Sequence, residues 1–190
     1  MQSLRLARPH AIMMVGIPGC GKSFFASKFA NMFHAPYVDS LALEALAKDS
    51  EAAGKLISLV MGELSKTGQT FIFEGNSDSR VRRTEFAKWA RSKGFQPLLV
   101  WVQTDKVTSL NRTLKNGMLD RDEFADYVRD FSPPHPDEKP LVISGKHTFN
   151  SQLKVVLAQL SRENRPEATQ PVVLAAAVPP RSTTRPSIVR

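Results

Sequence analysis

Cysteine is almost absent from this sequence of 190 residues, in which Cys20 is the only one. A single thiol excludes an internal disulfide and indicates a reducing compartment. Long hydrophobic runs are also missing. The apolar run at residues 172–178 is far shorter than the roughly 20 residues that span a membrane, and the run at residues 11–15 is too short for the core of a signal peptide. We therefore expect a cytoplasmic protein with no membrane partner.

Two further absences narrow the kind of site to be expected. The four histidines are scattered along the chain without the spacing of a metal site. An Asn-Lys-x-Asp motif, which reads guanine in GTP-binding proteins, is not found. The sequence thus gives no signal for a histidine metal centre or for guanine recognition.

Composition and charge are those of a soluble, basic protein. Hydrophobic residues make up 42% and charged residues 23% of the chain, which is ordinary for a globular domain, and the length accommodates one domain with an appendage. The net charge of +8 suits nucleic acid, anionic lipid or a phosphorylated substrate as a partner. Part of this charge falls in residues 164–190, so an ordinary basic surface is the alternative interpretation.

Short apolar runs alternate with helical patterns from residue 10 onward. The runs at residues 11–15, 36–38, 70–73, 97–102 and 141–143 are typical of strands buried on both faces of a parallel sheet. Apolar residues at helical spacing lie between these runs. The alternation predicts an α/β fold of three layers, in which helices cover both faces of a five-stranded parallel sheet.

Two segments depart from this rhythm. Residues 115–140 are polar and charged and end in a Pro-Pro-His-Pro sequence, which favours a lid over a core element. From residue 164 the chain is rich in proline, serine, threonine and alanine, which is typical of disorder. We therefore predict one folded domain over residues 1–163, with a helical lid at about 115–140, and a disordered, basic, proline-rich tail over residues 164–190.

A glycine-rich sequence follows the first predicted strand and precedes a helical pattern. Residues 16–23 read Gly-Ile-Pro-Gly-Cys-Gly-Lys-Ser and match the P-loop pattern without a mismatch. Glycine lets the backbone N–H groups of such a loop approach phosphate oxygens, and the helix presents its positive dipole end to the same anion. Lys22 is expected to reach the outer phosphates and Ser23 to ligate Mg²⁺. The loop thus predicts ATP and Mg²⁺ as cofactors. The predicted nucleotide contacts here are Gly16, Ile17, Pro18, Gly19, Cys20, Gly21, Lys22, Ser23 and Phe24.

The thiol of Cys20 lies inside this loop. A helix N-terminus and a nearby lysine lower the pKa of a thiol, so a redox role is one interpretation. The pattern leaves this position free, however, and we interpret Cys20 as a packing residue.

Two carboxylates follow predicted strands, at the edge where ligands bind to an open parallel sheet. Asp39 is a candidate general base that accepts the proton of an acceptor hydroxyl, and alternatively it caps the helix that begins near Leu41. Glu74 is a candidate Mg²⁺ ligand acting through water, and alternatively it is an unpartnered loop acid.

Several basic and polar side chains are candidates for contacts with the acceptor or with the transferred group. Asn76, Arg82 and Arg83 follow the third predicted strand and are predicted to bind the acceptor, because a guanidinium matches phosphate oxygens. The alternative is a solvated helix face. Arg112 and Arg121 are predicted to be catalytic, neutralising charge on the transferred group. Salt bridges to neighbouring acidic residues are the alternative.

The order and spacing of these features resemble those of the P-loop kinases that include phage polynucleotide kinase, zeta toxin and chloramphenicol phosphotransferase. The resemblance covers about residues 10–160. Five landmarks carry it: residues 16–23, Asp39, residues 74–76 with Arg82 and Arg83, residues 109–112, and residues 121–124 leading into 131–134. It implies a sheet order of 2-3-1-4-5, a lid that contains Arg112 and closes over ATP, and a loop at residues 144–147 near adenine. Lys146 is therefore added to the predicted nucleotide contacts.

The resemblance also implies a function, namely transfer of the γ-phosphate of ATP to a hydroxyl acceptor. A polynucleotide 5′-hydroxyl suits the basic charge, and a small metabolite suits the small domain. Members of the group often carry a second lid arginine four residues after the first, where this sequence has Asn116. That departure favours the alternative, a catalytically weak module whose binding to nucleic acid or to a partner depends on ATP.

Overall fold

The computed structural model of the protein describes residue 6 and residues 8–163, so the predicted disordered tail at 164–190 lies outside the described residues. In chain order the elements are β1 (His10–Val15), α1 (Lys22–Phe33), β2 (Tyr37–Asp39), α2 (Ser40–Glu44), α3 (Ser50–Lys66), β3 (Phe71–Glu74), α4 (Arg80–Ser92), β4 (Gln96–Gln103), α5 (Lys106–Lys115), α6 (Arg121–Asp130), a 3₁₀ turn (Pro136–Glu138), β5 (Leu141–Ser144) and α7 (Phe149–Glu163). Within this part of the chain no helix is long and apolar enough to cross a lipid bilayer.

The five strands form one parallel sheet in the order β2-β3-β1-β4-β5. This confirms the predicted three-layer fold and its strand order. The chain moves from β1 to one side of the sheet for β2 and β3, and then to the other side for β4 and β5. The carboxyl end of β1 is therefore the point at which the strand order reverses, where open α/β sheets bind ligands.

The core consists of two apolar layers, one on each face of the sheet. On one face Ile12 and Met14 pack with Phe25 and Phe29 of α1 and with residues of α7. On the other face Met13 packs with aromatic side chains of β3 and α4. All six residues of β1 are buried, because successive side chains of this central strand enter opposite layers. This double burial explains why the strand reads as a continuous apolar run.

The predicted lid segment contains the helix α6. A capping box begins this helix, since Asp120 accepts the N–H groups of Asp122 and Glu123 while the Glu123 carboxylate accepts the N–H of Asp120. Phe124 is the buried side chain of this helix. Capping residues and one apolar anchor thus form a helix here, although the segment lacks the long apolar stripe of the core helices.

Candidate phosphate-binding and phosphoryl-transfer site

The loop between β1 and α1 has the backbone geometry that its glycines predict. Gly16, Gly19 and Gly21 have φ angles of 144°, 72° and 108°, which residues with a side chain rarely adopt. Space is also limiting at Gly19, where a Cβ atom would meet the carbonyl oxygen of Ser109 and the side chain of Thr113 in α5. The loop is therefore held closely against α5, and glycine is required at this position for both reasons.

The N-terminus of α1 has no side-chain cap and no acidic residue in its first turn. The helices that follow it, α2 to α6, are all capped by side chains, namely those of Asp39, Asp49, Ser79, Asp105 and Asp120. The first N–H groups of a helix need an acceptor, and an uncapped N-terminus leaves them for an anion. The start of α1 is thus the place in this row of helices where a phosphate group fits.

The ammonium group of Lys22 lies over this loop. Its Nζ atom donates to the carbonyl oxygens of Gly16 at 3.0 Å and Ile17 at 3.2 Å. These bonds hold the cation beside the open helix N-terminus. A phosphate oxygen would replace one of these carbonyl acceptors with a charged one, which makes a stronger hydrogen bond.

Ser23 and Glu74, the two predicted metal ligands, are in direct contact. The Ser23 hydroxyl donates to Oε1 of Glu74 at 2.9 Å, and Tyr37 donates to Oε2 of the same carboxylate at 2.7 Å. Burial and the neighbouring Glu74 carboxylate raise the pKa of Tyr37 far above its ordinary value, so its hydroxyl remains a donor. Tyr37 was not among the predicted site residues.

This hydroxyl–carboxylate pair fits Mg²⁺ chemically. Mg²⁺ prefers oxygen ligands and is usually held by one or two carboxylates together with phosphates and water. Within residues 8–163 no cluster of three acidic, histidine or cysteine side chains forms a complete metal site. An incomplete set, Ser23 and Glu74, therefore suits a metal that arrives with phosphate oxygens.

Asp39 ends β2 directly beside Glu74 in the sheet, where the two residues are register partners. Its Oδ1 atom accepts the N–H of Leu41 at 3.0 Å and caps α2, which confirms the predicted capping. The cap uses one carboxylate oxygen. The second oxygen has no hydrogen-bond donor within the described part of the chain, and general-base chemistry at Asp39 stays a prediction.

Arg83 does not occupy the position predicted for an acceptor ligand. Its side chain is fully buried and bonds to both carboxylate oxygens of Glu138 and to the carbonyl oxygens of Ser77 and Ser132. A guanidinium enclosed in this way has no free face for a substrate. The correction has a simple cause: Glu138, which takes Arg83 out of solvent, is 55 residues away in sequence.

Arg82, one position earlier, is exposed to solvent. Its Nη1 atom donates to Oδ1 of Asn76 at 2.8 Å, and its Nε atom lies 3.7 Å from Oδ1 of Asp78. Asn76 adopts a left-handed conformation with φ of 45°. Asn76 of the loop after β3 and Arg82 of α4 are therefore in contact, and their binding of an acceptor stays a prediction.

Two predicted site residues, Arg112 and Lys146, connect the region of α5 with the loop after β5. Arg112 donates to the carbonyl oxygen of Gly145 at 3.1 Å, and Lys146 forms an ion pair with Asp105. The Lys146 ammonium and the Thr108 N–H hold the pKa of Asp105 well below its usual range. Arg112 and Lys146 therefore both connect α5 or its N-cap to the loop after β5, and their contacts with a nucleotide stay a prediction.

Arg121 is exposed in the first turn of α6 and forms no ion pair within the described residues. The predicted alternative, a salt bridge to a neighbouring carboxylate, is therefore not found. Asp120 and Glu123 use their carboxylates to cap the helix instead.

Tyr127 of α6 was not among the predicted site residues. Its half-buried ring stacks on that of Phe131, with the ring centroids 6.4 Å apart. Burial and the Asp78 carboxylate raise the pKa of its phenol to about 12, so the hydroxyl stays protonated at neutral pH.

Cys20 and Phe24 complete the predicted loop contacts. Cys20 is fully buried, and burial raises the pKa of its thiol, which suits a packing residue rather than a reactive thiolate. Phe24 is 49% exposed beside the loop, with the Lys28 ammonium 4.5 Å from its ring centroid.

Solved structures that share this architecture include two that are described as kinases. A gluconokinase from Sinorhizobium meliloti 1021 is similar with a TM-score of 0.62 and 14% identity, over 82% of this chain and 94% of that one. A sugar kinase from Janibacter sp. HTCC2649 is similar with a TM-score of 0.59 and 15% identity, over 81% and 95% of the two chains. No family model and no curated protein sequence matches the chain. At these identities the likeness shows a shared fold, and the finer resemblance to polynucleotide kinases stays a prediction.

Proposed function

We propose that the protein is an ATP-dependent phosphotransferase that phosphorylates a hydroxyl group of a small molecule. The observation that carries the proposal is the contact between Ser23 and Glu74 beside an uncapped helix N-terminus, with Asp39 on the adjacent strand. A phosphate cradle, an oxygen pair for a metal and a candidate base meet there at one edge of the sheet.

Each residue has a defined task in this proposal. The loop N–H groups and Lys22 bind the phosphate chain, and Ser23 and Glu74 hold the metal. When bound, ATP supplies the γ-phosphoryl group and Mg²⁺ neutralises part of its charge. Asp39 accepts the proton of the acceptor hydroxyl through its second oxygen, while the acceptor oxygen bonds to the γ-phosphorus and ADP leaves. Arg112 and Arg121 are proposed to stabilise the charge on the transferred group.

The acceptor side favours a small molecule over a polynucleotide. Arg83 is enclosed by protein groups, and Arg82 already bonds to Asn76 and lies near Asp78. Few guanidinium donors therefore remain there for a phosphate backbone. The structural neighbours named as a gluconokinase and a sugar kinase give the proposal further support.

The test is transfer of label from γ-labelled ATP to a panel of hydroxyl compounds that includes gluconate and a 5′-hydroxyl oligonucleotide. Asp39→Asn keeps the size and the capping oxygen of the side chain but removes the base, so we expect transfer to fall at least about a hundredfold while ATP affinity is unchanged. ATP binding without transfer to any acceptor would contradict the proposal. Undiminished transfer by the variant would remove Asp39 from its role.

A further inference from the structure

Glu74, one of the two candidate metal ligands, has its carboxylate oxygens divided between two donors. Oε1 accepts the Ser23 hydroxyl at 2.9 Å, and Oε2 accepts the Tyr37 hydroxyl at 2.7 Å. In the part of the chain that the structure describes, no other group donates to this carboxylate, and the residue is only 6% exposed. Both oxygens of a nearly buried carboxylate are therefore already used by protein hydroxyl groups.

The two donors approach Glu74 from different directions. Ser23 belongs to the first turn of α1, beside the phosphate loop. Tyr37 lies on β2 opposite Ile72, which precedes Glu74 by two residues on β3, so its hydroxyl reaches the carboxylate from further inside the sheet. The Tyr37 hydrogen bond thereby holds Oε2 towards the interior, while Oε1 lies on the side of the phosphate loop.

The use of Oε2 matters because divalent cations differ in the ligands they accept. Mg²⁺ usually keeps several of its waters and takes few direct carboxylate ligands, whereas Ca²⁺ takes more oxygen ligands, including carboxylates that bind through both oxygens. A cation in direct contact with Oε2 would compete with the Tyr37 hydroxyl hydrogen for that oxygen. The arrangement thus suits a cation that Glu74 holds through water.

We propose that Tyr37 is a positioning residue that restricts Glu74 to water-mediated contact with the metal, and that the site thereby selects Mg²⁺ over Ca²⁺. The proposal rests on the proposed function, because it takes Ser23 and Glu74 to hold the metal of a bound nucleotide. In this role Tyr37 contacts neither the metal nor the nucleotide. Its effect passes through the Glu74 carboxylate.

Removal of the Tyr37 hydroxyl group should change the cation preference. In Tyr37→Phe the Oε2 atom is enclosed without a donor, which is unfavourable, and a cation that takes a direct carboxylate ligand relieves this. The affinity of the full chain for a non-hydrolysable ATP analogue is measured by titration calorimetry with Mg²⁺ and with Ca²⁺. We expect the ratio of the affinity with Mg²⁺ to the affinity with Ca²⁺ to fall at least about threefold in this variant.

The ratio separates this role from a general loss of stability, because damage to the fold lowers both affinities together. Tyr127→Phe is the matched control, since Tyr127 is also half-buried and its hydroxyl does not donate to Glu74. We expect this control to keep the ratio of the wild-type protein. Tyr37→Phe combined with Glu74→Gln should have the same ratio as Glu74→Gln alone, because the carboxylate through which Tyr37 acts is then absent.

Equal ratios in the wild-type protein and in Tyr37→Phe would overturn the proposal, as would a wild-type protein that binds the analogue equally well with either cation. A shift that persists in the combined variant would also overturn it. Transfer from γ-labelled ATP, measured in parallel, separates the two proposals. An unchanged ratio in a protein that phosphorylates an acceptor removes Tyr37 from this role and leaves the phosphotransferase proposal standing. A lowered ratio supports the role of Tyr37 even where no acceptor is phosphorylated and the phosphotransferase proposal fails.

Discussion

The Arg83 guanidinium donates to both carboxylate oxygens of Glu138, at 2.8 and 3.0 Å, in a site where the Arg83 side chain has no exposure to solvent. Its Nη1 atom also bonds to carbonyl oxygens of Ser77 and Ser132. One side chain thereby joins the loop after β3, α4 and the end of the predicted lid segment. The C-terminal part of that segment is consequently fixed to the domain.

Removal of Arg83 is predicted to be severely destabilising. Arg83→Ala leaves the Glu138 carboxylate enclosed without its partner, which typically costs about 3–5 kcal/mol. Chemical unfolding monitored by circular dichroism measures this loss. Arg82→Ala, on the same turn but exposed, is the control and is expected to change the free energy of unfolding by less than about 1 kcal/mol. Similar values for both variants would contradict the structural role assigned to Arg83.

The same ion pair predicts a pH dependence of stability. Burial opposes ionisation of Glu138, but the bonds from Arg83 and the His135 N–H hold its pKa below the ordinary value of 4.5. A carboxyl group with a lowered folded-state pKa contributes stability that is present above pH 4.5 and is lost as the pH falls through the folded-state pKa.

Glu138→Gln should therefore flatten the acid limb of a plot of unfolding free energy against pH, besides lowering stability at neutral pH. Glu51→Gln removes an exposed carboxylate paired with Lys55 on α3 and serves as the control. Urea titrations between neutral pH and the acid limb measure both variants. An acid limb as steep as that of the wild-type protein would show that Glu138 does not carry this pH dependence.

The strands and the phosphate loop could be predicted from sequence because their signals are local. A strand buried on both faces is an apolar run, as β1 shows, and the loop glycines are required by backbone φ angles within the motif itself. Ser23 and Glu74 were each predicted as Mg²⁺ ligands, Ser23 from the P-loop pattern and Glu74 from its place at the carboxyl end of a strand. Their direct contact was not predicted.

The side-chain environments that depend on distant segments could not be predicted in this way. The sequence around Arg83 is that of an exposed helix start, and only the folding of residues 132–138 against it removes the guanidinium from solvent.

Close packing at the phosphate loop leads to a paired prediction for two glycines. Gly19→Ala should destabilise the protein by more than about 1 kcal/mol and weaken ATP binding, because φ is 72° there and the new methyl group meets the Ser109 carbonyl. Gly54, inside α3, has no side chain or neighbouring segment within 4 Å of the position that a Cβ atom would take. Gly54→Ala should therefore raise stability by about 0.5–1 kcal/mol. Thermal unfolding and ATP titration calorimetry distinguish these outcomes, and tolerance of alanine at Gly19 would contradict the packing described.

The final prediction concerns the oxygen pair formed by Ser23 and Glu74. When these oxygens hold Mg²⁺, ATP affinity depends on the metal, so addition of a chelator should weaken ATP binding to the wild-type protein. Ser23→Ala and Glu74→Gln each remove a ligand, and both should reduce this metal dependence at least about tenfold. Tyr37→Phe removes only the hydrogen bond to Oε2 of Glu74, so it should cost about 1 kcal/mol of stability while the metal dependence persists. Calorimetric ATP titrations with Mg²⁺ and with chelator measure all three variants. Glu74→Gln removes the negative charge of this side chain. If the metal dependence of this variant equalled that of the wild-type protein, the metal would have to be assigned to other ligands.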